Sequence, residues 1–232
     1  MLYRMYTEGI YIEVHLVMEA ENLPMGTSRN VIIDHEGTIN PDYYVVLAGH
    51  IDSWDVGQGV MDDAGGCFVS YHASLVLNRM GLKARRTVRN IWFTGEEFGI
   101  YGGNDYYRRH KEDAIKYQLM LESDLGTFDP MGIGFTGSQK ATCIMELIVG
   151  LTAAINTTEL VVANEGEDVN MWSGVGVPTG SLYSDTTKYF WFHHTAGDTL
   201  EVEEPDTLDR ITALLAAVAY VTADISVNLA LV

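Results

Sequence analysis

Tyr43-Tyr44-Val45-Val46-Leu47-Ala48-Gly49-His50-Ile51-Asp52-Ser53-Trp54 runs from a continuous apolar stretch straight into a histidine and an aspartate. Asp62-Asp63 follows twelve residues after His50. A short apolar run closed by glycine reads as a buried strand. Its end delivers one imidazole and nearby carboxylates into a small space.

Working outward, Ile12, Val14, Leu16 and Met18 alternate with Glu13, His15 and Glu19, which predicts a half-buried strand over 11–20. Asn22 to Arg29 contains Pro24 and Gly26 and predicts a loop. Asn30 to Ile33 is a further short strand, with a turn at Asp34 to Gly37. Three early strands joined by turns predict antiparallel pairing at the start of the sheet.

From about Ala64 the period becomes helical, with Phe68, Tyr71, Leu75 and Met80 on one face and Gly81 as the stop. A strand over 87–93 ends at Thr94-Gly95-Glu96-Glu97, and a short helix with Tyr106 and Tyr107 follows a glycine-rich link. A strand over 117–121 ends at Glu122-Ser123-Asp124. Beyond it come a helix with Ile144, Leu147, Ile148 and Leu151, a strand over 160–162, a short helix near 168–173 and a strand over 178–183. His193-His194 sits in the next loop, and Pro205 opens a long helix with Leu208, Ile211, Leu215, Val218 and Ile225 on one face.

This alternation predicts an α/β fold, a three-layer α/β/α sandwich around a mixed, largely parallel sheet. In such sheets sites form at the carboxyl ends of the strands. The 232 residues, 47% hydrophobic, are expected to form one domain. The chain opens inside an apparent strand, so it is expected to be the C-terminal part of a longer precursor.

With 32 acidic against 14 basic residues the net charge is -18, which repels phosphate backbones and argues against nucleic-acid binding. No apolar run reaches membrane-spanning length. Cys67 and Cys143 read as small buried hydrophobes rather than a disulfide framework. Asn156-Thr157-Thr158 is a glycosylation acceptor if the chain is secreted.

Each polar cluster has an ordinary reading by itself. Asp62-Asp63 ahead of Gly65-Gly66 can cap a helix. Glu96-Glu97 can be a solvated pair, Asp124 can close a turn, and His50 or His194 can be a hydrogen-bonded structural residue. Together they converge, because His50, Asp62, Glu96-Glu97, Asp124 and His194 fall at or beside five strand ends. Like charges gathered in one cleft demand cations. Three ligand carboxylates and a hydroxide supply about four negative charges, balancing roughly +4 from two zinc ions. Mixed imidazole and carboxylate donors suit zinc. One carboxylate must then bridge, and Glu96 remains as an unligated base.

The segments His50 to Gly57, Met61-Asp62-Asp63, Thr94 to Glu97, Glu122-Ser123-Asp124 and His193 to Thr199 resemble the co-catalytic two-zinc aminopeptidase and glutamate carboxypeptidase family. The resemblance covers nearly the whole chain. It implies a zinc-exopeptidase fold and hydrolysis of dipeptides or short peptides by a hydroxide bridging two zinc ions. His50 and Asp124 would hold one zinc, Glu97 and His194 the other, and Asp62 both. Glu96 would be the general base, and Asp52 would orient the His50 ring through its second nitrogen. His194 is chosen over His193 on the family pattern of histidine followed by Thr or Ser. The chain departs from the pattern at Ala196, where members often carry a further histidine. The resemblance further implies a homodimer and a secreted or lysosomal location. Two other readings stay open on the same fold: a one-zinc glutaminyl cyclase, and a catalytically silent binding or structural relative such as a transferrin receptor.

Overall fold

The computed structural model describes residues 1–21, 23–162 and 166–232. Among them, β1 (Val31–His35), β2 (Asn40–His50), β3 (Arg86–Phe93), β4 (Tyr117–Glu122), β5 (Pro130–Thr136), β6 (Glu159–Val161) and β7 (Thr179–Ser184) form one sheet in the order β1-β3-β2-β4-β7-β5-β6. The four central strands β3, β2, β4 and β7 run parallel. β1 is antiparallel to β3, and β5 is antiparallel to β7 with β6 parallel beside it. The helices are α1 (Leu2–Thr7), α2 (Gly65–Arg79), α3 (Tyr101–His110), α4 (Gln139–Gly150), α5 (Glu167–Asn170), α6 (Tyr189–Phe192) and α7 (Pro205–Asp224).

The apolar run in β2 is continuous because both faces are covered. Val45 and Leu47 point into a core with Val69, Met145, Ile211 and Val218 from α2, α4 and α7. Val46 and Ala48, on the alternate face, meet Phe93, Tyr106, Tyr117 and Trp172. The expected three-layer α/β/α arrangement with a mixed, largely parallel sheet is therefore what forms.

Several local expectations change. Residues 11–20 form no strand: Val14, Leu16 and Met18 are exposed and no described strand pairs with them. Alternation specifies a strand only where a neighbouring edge completes the ladder. Asn22, the first residue of the predicted loop, lies outside the described residues. β1 and β2 do not pair with each other, because the crossover through α2 lays β3 between them. β5 was absent from the predicted set, since Pro130, Gly132 and Gly134 weaken a strand pattern. Gly132 is there for close approach: a β carbon would stand 1.8 Å from the Glu159 carbonyl oxygen.

The buried face of α2 combines small residues, Gly66, Cys67, Ser70, Ala73 and Ser74, with Val69 and Leu77, while Phe68 and, just beyond the helix, Met80 face solvent. In α4, Met145, Ile148 and Val149 are buried and Leu147 is exposed, as is Leu151 just beyond the helix. Cys67 is buried as expected, whereas Cys143 is exposed. No described helix is long and apolar enough to cross a membrane.

Candidate metal centre

β2 ends at His50, which is fully buried. Gly49 lets this end sit close to α2, since a β carbon there would lie 2.8 Å from the Cys67 backbone nitrogen. His50 Nδ1 stands 3.0 Å from the Asp52 carbonyl oxygen. A carbonyl only accepts, so Nδ1 donates and Nε2 turns to the site. Around Nε2 lie Asp124 Oδ1 at 3.0 Å, Asp62 Oδ1 at 3.2 Å and Glu96 Oε2 at 3.9 Å. Asp124 follows β4, Asp62 precedes α2, and Glu96 follows β3.

Asp62 also faces the other way. Its Oδ2 is 3.3 Å from His194 Nε2 and 3.5 Å from His193 Nε2. Glu97 Oε2 is 2.8 Å from His194 Nε2. Two donor groups result, His50–Asp62–Asp124 and Asp62–His193–His194, with Asp62 common to both. The two histidine rings stack at 3.5 Å, and Trp54 packs 5.2 Å from the His194 ring.

Asp52 meets the second nitrogen of His50 through its backbone carbonyl; the nearer carboxylate oxygen is 3.9 Å away. The carboxylate instead accepts from the backbone N–H groups of Glu96, at 3.1 Å, and Glu97, at 3.2 Å. It thus fixes the turn that aims both glutamates. Asp185 accepts from the Thr187 N–H and acts as a turn residue.

Two carboxylates had no individual role in the sequence reading. Asp63 is fully buried and accepts from the N–H groups of His50 and Gly66, so the capping role open to Asp62-Asp63 falls to Asp63. Asp198, 3% exposed, accepts from the N–H groups of Val60 at 3.0 Å, Met61 at 2.6 Å and Asp62 at 3.2 Å. It holds the Asp62 backbone from 136 positions away. A Gly-Asp-Thr triplet reads as an ordinary turn, so no local signal marks this. Asp198→Asn would point an N–H at another N–H. It is expected to cost about 1–3 kcal/mol of stability and about 10–100-fold in metal affinity. Chemical denaturation and zinc titration check both, and wild-type affinity in the variant would count against the positioning role.

The electrostatics follow from burial. Burial pushes Glu96 up to about 7, aided by Asp124, and Glu97 up to about 7, aided by Asp62. Asp168, which accepts from the Gly103 N–H, is pushed up to about 8 by burial and then by Glu96. For His50 burial acts downward, but the hydrogen bonds to Asp124 and Asp62 outweigh it and raise the imidazole. His194 is lowered by burial and by His193.

In the metal-free chain the raised groups bind more protons folded than unfolded. The carboxylate contributions begin to fade above the ordinary value of 4.5 for glutamate and are lost as pH climbs through 7 to 8. Raised His50 adds the same sign above 6.5, while lowered His194 and His110 oppose it. The chelated protein is expected to be more stable at pH 5.5 than at pH 8, and bound metal to remove that fall. Thermal melts at both pH values, with and without zinc, check the sign.

The donor set fits divalent cations. Asp62 Oδ2 and Glu97 Oε1 are buried with no hydrogen-bond partner among the described residues. Unsatisfied carboxylate oxygens are costly in a protein interior. Cations between the two donor groups would satisfy them and displace the proton held at His50.

The model of peptidase family M28 matches residues 30–219. The chain belongs to that family. Carboxypeptidase Q of Xenopus laevis is 44% identical to this M28 chain over 224 residues, covering 97% of the chain and 48% of the relative. The chain thus spans about half the length of the curated relatives it matches. The crystal structure of a peptidase M28 precursor from Shewanella amazonensis SB2B is 31% identical, with a TM-score of 0.81 over 86% of this chain and 46% of that one. A zinc aminopeptidase from Bacillus subtilis, 16% identical, shares the fold at a TM-score of 0.69 over 85% of this chain and 50% of its own.

Proposed function

We propose that this M28 chain is the catalytic part of a zinc-dependent exopeptidase that hydrolyses dipeptides or short peptides. One observation carries the reading: the two oxygens of Asp62 face two separate donor groups, with Glu96 beside them on the cavity wall. His50 and Asp124 would hold one zinc, Glu97 and His194 the other, and Asp62 would serve both. When bound, the zinc ions polarise the peptide carbonyl and acidify water. Glu96 takes the proton from the attacking water and returns it to the leaving amine, a task suited to a carboxylate whose pKa is lifted toward neutrality. Asp52 keeps Glu96 and Glu97 aimed through their backbone N–H groups.

Family resemblance extends the proposal to a homodimer and to a secreted or lysosomal location. The exposed Asn156 of the glycosylation acceptor agrees with the latter. The function is tested by stripping metal with a chelator, assaying a dipeptide panel and adding zinc back. Activity is expected to disappear and return with zinc. A zinc-loaded chain that cleaves none of the panel would contradict the proposal.

A further inference from the structure

An open cavity of about 550 Å³ adjoins the donor groups. Ile100, Leu125 and Phe190 give it apolar walls, and among the described residues no lysine or arginine lines it. Its charged lining is acidic throughout, and four of those carboxylates, Asp62, Glu96, Glu97 and Asp124, belong to the centre already described. The fifth does not. Glu167, the first residue of α5, is exposed and makes no hydrogen bond or ion pair among the described residues. It stands near enough to the reaction centre for its charge to help raise Glu96.

A carboxylate sharing a cavity with apolar walls matches one kind of side chain. Lysine and arginine lay their methylene stems along apolar surface and keep a cationic head at the far end. The volume lies within the range that ligand cavities occupy. Away from the metal centre, an acidic side chain placed there would meet Glu167 with no lysine or arginine among the described lining residues to offset it. Resting on the peptidase reading, we infer that this cavity selects substrates with a cationic side chain, its stem against Ile100, Leu125 and Phe190 and its charge at Glu167.

The test uses the zinc-loaded chain and dipeptides of alanine with lysine, arginine, norleucine or glutamate, each residue tried at both positions. Norleucine keeps the lysine stem and removes the charge. Lysine is expected to exceed norleucine by roughly fivefold in kcat/KM at one of the two positions, mostly through KM. Glu167→Gln brings that ratio to about one, and Glu167→Lys shifts preference toward glutamate. Equal rates for lysine and norleucine in the wild type, or a ratio untouched by both substitutions, overturn the inference. Failure to cleave any dipeptide is a different result: it overturns the peptidase reading, and the inference falls with it.

Discussion

Glu96→Ala is expected to keep both metals and to lose about 10²–10⁴-fold in kcat. The reasoning starts from where the carboxylate stands. Glu97 closes to 2.8 Å of His194 Nε2, as a co-ligand would, whereas Glu96 comes only to 3.9 Å of His50 Nε2. Glu96 is nevertheless held in place, because its N–H bonds to Asp52 and its side chain is only 13% exposed. A carboxylate with a fixed position, a pKa lifted to about 7 and no ligand contact is equipped to move protons. Elemental analysis and single-turnover kinetics on the same preparation check the result. Wild-type turnover in a metal-loaded variant would remove Glu96 from the proton transfer, and loss of metal would make it a ligand.

Asp62→Asn carries the second large effect. One oxygen of Asp62 faces His50 and the other faces His194, so replacing one oxygen by an amide group turns a donor N–H toward one of the two groups. Metal affinity is expected to fall by more than about 10²-fold, beyond the cost of losing an outer hydrogen-bond partner, and more than in His50→Ala or His194→Ala. In the metal-free chain Asp62→Asn removes a carboxylate that crowds Glu97 but also one of the two that hold a proton at buried His50, so the opposing effects are expected to leave little net change in stability. With zinc present the variant is expected to be the less stable protein. Isothermal titration and paired melts measure both. A variant that binds two zinc ions as tightly as the wild type would mean that Asp62 does not bridge.

The parts legible from the chain were those written in short, strong patterns. The run from Tyr43 to Ala48 is apolar on both parities, so its burial between two layers could be read directly. Each polar cluster that follows a strand end carries its own position in the sheet with it. Convergence of His50, Asp62, Glu96, Glu97, Asp124 and His194 could therefore be expected from the rule that sites form at the carboxyl ends of parallel strands, together with the family resemblance. What was hidden depends on partners distant in sequence. Asp198 acts on the backbone of residues 60–62, and nothing near Gly197-Asp198-Thr199 announces it. Which face of α2 is buried depends on how closely the helix lies on the sheet, and that favours Gly66 and Ala73 over Phe68. The pattern at 11–20 describes a strand that finds no described partner, so a periodicity alone did not make one. That Asp52 meets His50 through its backbone carbonyl and turns its carboxylate to the Glu96 and Glu97 N–H groups depends on local backbone and rotamer, which no spacing encodes.

Metal content per chain tests the central claim most directly. The protein should be prepared without chelator, saturated with zinc, freed of loosely held ions and analysed for elemental composition. Two zinc ions per chain are predicted, one at His50 and Asp124, one at Glu97 and His194, and both at Asp62. A saturated preparation holding one zinc or none would contradict the two-metal centre.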